Sequence, residues 1–467
     1  MQIINKKAEN VKIAYIGGGS RGWAWNLMSD LGKCDKMSGH VDLYDIDFEA
    51  AQHNEIIGNM YGSHPEAVSR WTYRAVPTLK EALTDAQFIV ISILPGTFDE
   101  MESDVHTPEK YGIYQSVGDT SGPGGIVRAM RTVPMYEEIA EAIKAYAPKA
   151  WVINYTNPMT LCTKTLYRVF PEIKAFGCCH EVFGTQRLLN NAMEEFCGIK
   201  AAHRNQIRVN PVGVNHFTWI TEAKYEDIDL FPVYKKFAEK YVAEGYTQNL
   251  DANWMNNHFA SSQRVKMYLY LEHGWIAAAG DRHLAEFVDG SRFMANPEMV
   301  RSWGFGLTPV SWRKEDLEKR RAKSEALRTG EREIKFVPSG EEGVGQMCAL
   351  LGLTPPLVTN VNIPNRGQTP NLPLGAVVET NAVFSDDSVV PVMSGEIPAE
   401  ILPMISRICL EQERISDGIA NRDLDAIFEA FANDPLVTCS YADAKKLFKE
   451  MVENTAKYLT SYDLSKL

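Results

Sequence analysis

The stretch VKIAYIGGGSRGWAWNL, from Val11 to Leu27, decides the fold of this chain. An apolar run predicts a buried strand, which ends in the pattern Gly-x-Gly-x-x-Gly at Gly17, Gly19 and Gly22 before a helical segment begins. In such a turn, Gly17 permits the tight bend and Gly19 lets the backbone approach a pyrophosphate, while Gly22 permits close helix packing. The phosphate charge then rests at the helix N-terminus. We therefore predict that this turn, including Ser20, binds a dinucleotide.

An acidic residue at the end of the second predicted strand supports this interpretation. Asp45 lies 23 residues after Gly22, where its carboxylate can accept hydrogen bonds from the adenosine ribose. An acid at this position favours NAD over NADP. Asp47 is an alternative for the same role. A merely glycine-rich turn is the competing interpretation, but a strand, a helix and an acid in register favour a dinucleotide site.

Short β-branched runs alternate with helical patterns up to about residue 180, which is typical of a parallel sheet built from βαβ units. Six strands in this order predict a doubly wound α/β fold, with a Rossmann dinucleotide-binding domain at residues 1–195. The strands are predicted at Lys12 to Ile16, Val41 to Tyr44, near Tyr73, Phe88 to Ile93, Trp151 to Asn154 and Ile173 to Gly177, with helices beginning near Trp23, Phe48, Leu79, Val127 and Thr160.

The pattern becomes irregular after about residue 195 and predicts an α+β C-terminal domain at residues 196–467. The segment LGAVVETNAVF, from Leu374 to Phe384, is strand-like. The run from Arg313 to Lys335 is dense in charges of both signs, which indicates a solvent-exposed helix and loop.

Composition narrows the classes of partner. The 467 residues carry a formal net charge of -12, which disfavours nucleic acid and anionic membranes and favours a small-molecule substrate. The first residues, MQIINKKAEN, lack the apolar segment of a secretory signal, so a cytoplasmic location is expected. Eight scattered cysteines have no disulfide-scaffold spacing and predict free thiols.

The fifth predicted strand closes with the sequence Asn-Tyr-Thr-Asn-Pro, which ends at Asn157 and Pro158. Because this is a carboxyl end of the sheet, the segment should face the ligand crevice. An amide both donates and accepts hydrogen bonds, which suits a hydroxylated substrate. The alternative is an ordinary Asn turn before proline.

Taken together, the motifs GGGSRG, LYDID, GDTSGPGG, NYTNP, GCCHE, GVNHF, GDRHLAEF and VNIPNRG resemble glycoside hydrolase family 4 over nearly the whole chain. This family comprises NAD- and metal-dependent glycosidases related in fold to lactate and malate dehydrogenases. Within it, the stretches SILPG, GIYQSVGDTSGPGG, NYTNPM and GCCHEVFGTQ most resemble the α-galacturonidases.

The resemblance implies roles for individual residues. It implies that Cys179 and His216 bind a divalent metal, Mn²⁺ in the family, although on their own each fits a buried core position and thiolate with imidazole would favour later metals. A catalytic acid or base is implied at Asp281 and, as a candidate, at His180. Asn157 and Asn215 are implied to bind the sugar. Some relatives carry a tyrosine base where this chain has Ser261.

The implied reaction is transient oxidation at sugar carbon 3, elimination of the aglycone, water addition and re-reduction, which differs from the usual pair of carboxylates. An α-galacturonide is the expected substrate, with Arg131, Arg282 and Arg366 as candidate partners of its carboxylate, and relatives suggest a homo-oligomer. Alternatives within the family are an α-glucosidase, α-galactosidase or α-glucuronidase. A malate- or lactate-type dehydrogenase is a further alternative, but the sequence offers no convincing counterpart of the catalytic His-Gly motif of those enzymes, and His216 stands in an Asn-His-Phe context.

Overall fold

The computed structural model describes residues 1–247 and 261–467. Its N-terminal half forms the strands β1 (Gln2–Ile4), β2 (Lys7–Ile16), β3 (Met37–Tyr44), β4 (Trp71–Ala75), β5 (Phe88–Ile91), β6 (Trp151–Asn154) and β7 (Lys174–Gly177). Six of them run parallel in the order β4-β3-β2-β5-β6-β7, and β1 pairs antiparallel with β2. Every residue of β5 and β6 is buried, as expected for strands covered on both faces. This is the predicted doubly wound Rossmann order.

Helices connect these strands and cover the sheet. They are α1 (Trp23–Gly32), α2 (Phe48–Ser63), α3 (Leu79–Leu83), α4 (Phe98–His106), α5 (Gly122–Tyr146), α6 (Met159–Val169) and α7 (Glu181–Cys197). The predicted start of α5 at Val127 is too late, because Pro123 is well tolerated in the first turn of a helix. Sequence patterns also miss α4, although Thr97 and Glu100 form a capping box at its start.

Strands from the C-terminal half extend the same sheet. These are β12 (Leu357–Pro364), β13 (Val377–Ser385) and β14 (Ser388–Pro391), and the predicted strand from Leu374 lies in β13. They continue the sheet antiparallel beyond β7, with Asn362 opposite Gly177. The sheet therefore crosses the predicted domain boundary at residue 195, and that boundary stays a prediction.

A second, antiparallel sheet stands beside the first. It contains β8 (Arg208–Val214), β9 (Phe217–Tyr225), β10 (Ile228–Asp229) and β11 (Ile276–Ala277), with β9 paired to the other three. The apolar side chains Phe217 and Trp219 are fully buried and belong to the largest core cluster, which also takes in part of α5.

The remaining helices in the described ranges are α8 (Phe231–Tyr241) and those at Arg264–His273, Asp281–Leu284, Gly290–Phe293, Pro297–Ser302, Val310–Arg328, Gly343–Leu350, Leu402–Ala420, Leu424–Asn433 and Tyr441–Asn454.

We call Val310–Arg328 the clamp helix. Its predicted helical state is correct, but its predicted full exposure is wrong, because it packs against α2 and α4 and buries Asp316, Ser324 and Leu327. Within the described ranges, none of the helices has the length and apolarity needed to cross a bilayer.

Candidate active site

The glycine-rich turn lies at the carboxyl end of β2, between β3 and β5. Gly17 has a φ of +94°, and a Cβ there would lie 2.0 Å from the carbonyl oxygen of Ser92. A Cβ on Gly19 would lie 2.8 Å from the Cβ of Ala50. Only glycine fits these positions, so the turn keeps the close backbone geometry that a pyrophosphate requires. The residues present therefore fit a dinucleotide.

The Asp45 carboxylate closes over this turn. It accepts hydrogen bonds from the backbone N–H groups of Gly19 at 2.8 Å and Asp47 at 2.9 Å. Burial raises the pKa of Asp45. The Asp47 carboxylate is engaged elsewhere, since it caps α2 by accepting from the Ala50 N–H at 3.1 Å. Asp45 is therefore the better placed of the two acids to meet a ribose.

Two further residues shape the turn. Asn54, which is fully buried, donates to the carbonyl oxygens of Gly18 at 2.7 Å and Ser20 at 3.0 Å. Gly22 was predicted to permit close helix packing. Instead, the space beside it holds the guanidinium of Arg320, whose Nη1 lies 2.6 Å from where a Cβ would stand. Asn54 and Arg320 lie outside every sequence motif quoted above, so sequence reasoning missed both.

A strained hairpin turn brings His216 to the same end of the sheet. The strands β8 and β9 pair up to Val214 and Phe217, which leaves Asn215 and His216 as a two-residue turn. His216 has a φ of +65°, a conformation that costs a non-glycine residue on the order of 1–3 kcal/mol. The turn nevertheless holds the imidazole in the interior, which marks it as a functional position.

Asp119, His216 and His283 form the centre of the site. One ligand atom from each of them lies within 4.8 Å of the other two. The rings of the two histidines stack with centroids 3.8 Å apart, and Nδ1 of His216 lies 3.0 Å from Oγ1 of Thr120. One carboxylate and two imidazoles are ligands that suit a divalent transition metal. We call these three residues the ligand cluster.

Protonation states within the ligand cluster also fit a metal. Burial lowers the pKa of His216 to about 3 and also lowers that of His283, so both imidazoles are neutral near pH 7. Burial alone would raise the pKa of Asp119, but neighbouring His216 and Arg128 bring it down to about 2. Neutral imidazole and ionised carboxylate are the forms that bind a cation.

Cys179 follows β7 and lies outside the ligand cluster. Its thiol is buried, which raises its pKa, and it lies beside the amide of Asn215. Both polar atoms of that amide are buried, and within the described ranges neither has a hydrogen-bond partner at good geometry, although Cys179 and Glu379 lie next to them. Buried polar groups without partners are rare and indicate a binding position. Cys179 thus borders the site through Asn215, and its role as a ligand stays a prediction.

Asn157 and Arg128 line the other side of the ligand cluster. Nδ2 of Asn157 donates to Asp119 at 3.2 Å, while its Oδ1 is buried without a partner in the described part of the chain. Nε of Arg128 donates to the Asn157 carbonyl oxygen at 3.2 Å, and the guanidinium is buried beside Asp119. The amide predicted from sequence therefore reaches the centre, together with a cation that sequence reasoning missed.

The two candidate acid or base residues occupy different surroundings. Asp281 is fully buried and accepts from the Lys266 N–H at 3.0 Å, and burial raises its pKa. His180 is half-exposed at the start of α7, where Nδ1 lies 3.1 Å from Glu341, whose hydrogen bond raises the pKa of the imidazole. Glu181, also missed, lies 3.8 Å from Nε2 of His283. The catalytic roles of Asp281 and His180 stay predictions.

The three arginines considered for a uronate carboxylate differ sharply. Arg131 is buried in an ion pair with Asp104 and is engaged there. Arg366 lies by Trp151 and Lys174, near the amino ends of β6 and β7 and so away from the site. Arg282 lies near the ligand cluster, and its guanidinium donates to the carbonyl oxygens of Gly306, at 3.1 Å, and Ser116 and to Oγ1 of Thr308 at 2.6 Å.

The missed residues Asp119, His283 and Glu181 all lie in motifs that carried the resemblance, GDTSGPGG, GDRHLAEF and GCCHE. Membership in these motifs is therefore the sequence signal that could have identified the three residues. Tyr268 and Tyr270 are the tyrosines that follow Ser261, where some relatives carry a tyrosine base, and they pack against the aromatic neighbours Trp303 and Tyr234 respectively.

Comparison with known proteins agrees with this architecture. Residues 12–195 match the model of the family 4 glycosyl hydrolases, and residues 211–437 match that of the family 4 glycosyl hydrolase C-terminal domain. An alpha-galacturonidase from Thermoanaerobacterium saccharolyticum is 58% identical over 464 residues, covering 99% of this chain and all of that one.

Two solved structures are also similar. A Bacillus subtilis protein described as a glucosidase has a TM-score of 0.90 and 52% identity, covering 95% of this chain and 100% of that one. A 6-phospho-alpha-glucosidase from gut microorganisms, in complex with NAD and Mn²⁺, has a TM-score of 0.78 at 17% identity, covering 96% and 99%, and shares the fold.

The two family models and the relative from T. saccharolyticum place this chain, with its glycine-rich turn and ligand cluster, among the glycoside hydrolases. This chain belongs to the family 4 glycosyl hydrolases. The resemblance seen in the motifs is thereby confirmed. The comparisons favour a glycoside hydrolase and not a malate- or lactate-type dehydrogenase.

We expect Gly17→Ala to abolish NAD binding, because the new Cβ would meet the Ser92 carbonyl oxygen at 2.0 Å with φ at +94°. Gly345→Ala is the matched control, since its Cβ would meet only Leu357, at 3.8 Å. Fluorescence titration with NADH measures both. An unchanged affinity in Gly17→Ala would contradict the assignment of this turn.

Proposed function

We propose that this chain is an NAD- and divalent-metal-dependent glycoside hydrolase that cleaves α-galacturonides. The observation that carries the proposal is the ligand cluster, with buried polar atoms of Asn157 and Asn215 beside it that lack partners within the described ranges. The name of the relative from T. saccharolyticum supports the substrate, and the NAD and Mn²⁺ bound in the gut-microbe structure support the two cofactors.

The turn at Gly17 and Gly19 would hold NAD, with Asp45 on the ribose. His216 would hold the metal, with Asp119 and His283 as ligands supported by their spacing and Cys179 as the ligand implied by the resemblance. When bound, NAD would accept and return a hydride, and the metal, Mn²⁺ in this proposal, would polarise sugar oxygens.

The chain's own polar groups then bind and orient the sugar. In this proposal, the amides of Asn157 and Asn215 bind hydroxyls, which would satisfy their unpaired atoms at no further desolvation cost. His180, half-exposed beside Glu341, would hold a proton for the departing oxygen, and Asp281 would serve as the buried acid or base. A homo-oligomer and a cytoplasmic location stay predictions.

Cations around the cluster favour an anionic sugar. Arg128, Arg282 and Arg313 all have a pKa lowered by burial, and each of them is near Asp119. Nε of Arg128 donates a hydrogen bond to the Asn157 carbonyl oxygen, and the buried guanidinium lies near Asp119. A carboxylate would add a favourable charge interaction with Arg128, whereas a neutral sugar would not.

We expect the purified protein, given NAD⁺, Mn²⁺ and a reductant, to release p-nitrophenol from p-nitrophenyl α-D-galacturonide. The α-galactoside differs only in carrying a hydroxymethyl group in place of the carboxylate, so it is the matched neutral substrate and should react far more slowly. The α-glucuronide and α-glucoside complete the series. Faster turnover of a neutral glycoside would replace the galacturonide in this proposal.

Replacing Arg128 with methionine should lower kcat/KM for the galacturonide by about 10- to 100-fold, because a charge-assisted hydrogen bond is worth roughly 1.5–3 kcal/mol. The galactoside should lose much less. Steady-state kinetics with both substrates measures the ratio. Equal losses on the two substrates would mean that Arg128 supports the site without reading the carboxylate.

Metal binding separates the candidate ligands. We expect His216→Ala to abolish Mn²⁺ binding, and Asp119→Asn, His283→Ala and Cys179→Ser each to weaken it, while NADH binding persists in all four. Titration of the bound ion by electron paramagnetic resonance measures these affinities. Glu49→Gln, an exposed carboxylate change, is the control. Any of the three weaker variants that binds Mn²⁺ like the parent protein is removed from the ligand set.

A further inference from the structure

Arg320 of the clamp helix stands directly over the start of α1. Its Nη1 donates to the Arg21 carbonyl oxygen at 3.3 Å and lies 2.6 Å from where a Gly22 Cβ would stand. Its Nε donates to Asp316 at 2.6 Å, one turn earlier on the same helix. The guanidinium is therefore held in place above the glycine-rich turn, although it comes from a segment almost 300 residues away in sequence.

The start of α1 lacks the groups that usually satisfy a helix N-terminus. Gly22 is the N-cap residue and offers no side chain, and the first turn contains no acidic residue. The N-terminus of α1 and the Arg320 guanidinium thus border the same space at Gly22, and both carry positive electrostatic potential. In a dinucleotide-binding fold, that space takes the diphosphate.

Other cations on the clamp helix lie close to Arg320. Arg313, two turns earlier, lies near Asp119 of the ligand cluster, and Lys323 lies 4.9 Å over the ring of Trp25 in α1. Burial lowers the pKa of Arg313 and Lys323, and Arg320 lowers both further. Like charges collected along one cleft repel each other, and an anionic ligand in that cleft would relieve the repulsion.

We infer that Arg320 binds the diphosphate of the dinucleotide, with Asp316 as its positioning residue, so that the clamp helix closes the cofactor cleft. Arginine presents its donors in a planar fork that matches phosphate oxygens. The inference rests on the proposed use of NAD and adds a cofactor contact from the C-terminal half of the chain. The Rossmann motif does not include this contact.

The test compares ligands with and without phosphate. In Arg320→Gln, we expect the Kd for NADH and for ADP to rise about ten-fold or more, because charge-assisted hydrogen bonds are lost, while the Kd for adenosine stays the same. Arg321→Gln is the matched control, since that neighbouring side chain is exposed and pairs with Glu318 at 2.7 Å. Arg320→Lys should recover part of the affinity as a point charge. Calorimetry and NADH fluorescence, without metal or substrate, give each Kd.

Each result decides the inference. Unchanged ADP binding in Arg320→Gln overturns it, and so does an equal loss of adenosine and ADP, which would mean that Arg320 only supports the turn. Thermal unfolding confirms that the variants fold; if Arg320→Gln does not fold, the same comparison is made with Arg320→Lys. Failure of the unaltered protein to bind NADH would instead remove the proposed cofactor use.

Discussion

The close approach of Gly17 to the Ser92 carbonyl oxygen is the constraint on which the site depends. From β2 the chain proceeds to β3 on one side of the sheet, and after β4 it returns to β5 on the other. The connections leaving β2 and β5 therefore diverge and open a crevice at their carboxyl ends. Any side chain at Gly17 would push these two loops apart. Because the segment at Ile93 is also bonded to Thr156 after β6, such a shift would extend towards Asn157.

The second sheet and the strand extension bring the remaining groups to this crevice. Asn360 of β12 donates to the Cys179 carbonyl oxygen at 3.1 Å and to Glu379 of β13 at 2.7 Å. Glu379 in turn accepts from Thr218 of β9 at 2.6 Å, next to the hairpin turn. This buried chain of hydrogen bonds ties the end of β7 to the turn that carries His216. Buried polar groups that are hydrogen-bonded in this way fix relative position better than apolar packing does.

Local sequence signals predicted the fold well because each depends on neighbours in the chain. The glycine pattern, Asp45 and the alternating strands needed no knowledge of distant residues. Asp119, His216 and His283 are far apart in sequence. They lie on a loop, a hairpin turn and a one-turn helix, and no periodicity in the sequence predicts that these three elements meet. The charges from Arg313 onward predicted an exposed helix, because composition cannot tell which side of a helix faces a charged cleft. Arg313 and Arg320 lie on the inner side, and the family motifs contain neither.

The unpaired amide of Asn215 and the left-handed backbone of His216 both lower the stability of the folded protein. A buried amide without partners costs about 1–3 kcal/mol, and a left-handed His216 adds a similar amount. An apolar side chain in place of Asn215 would avoid the first cost, and a glycine at position 216 would reduce the second. Both costs fall on adjacent residues that the network through Glu379 and Thr218 holds rigidly. Rigid, unsatisfied donors and acceptors bind a ligand without reorganising, so under the proposed function the binding of sugar and metal would offset the free energy that these residues cost the free protein.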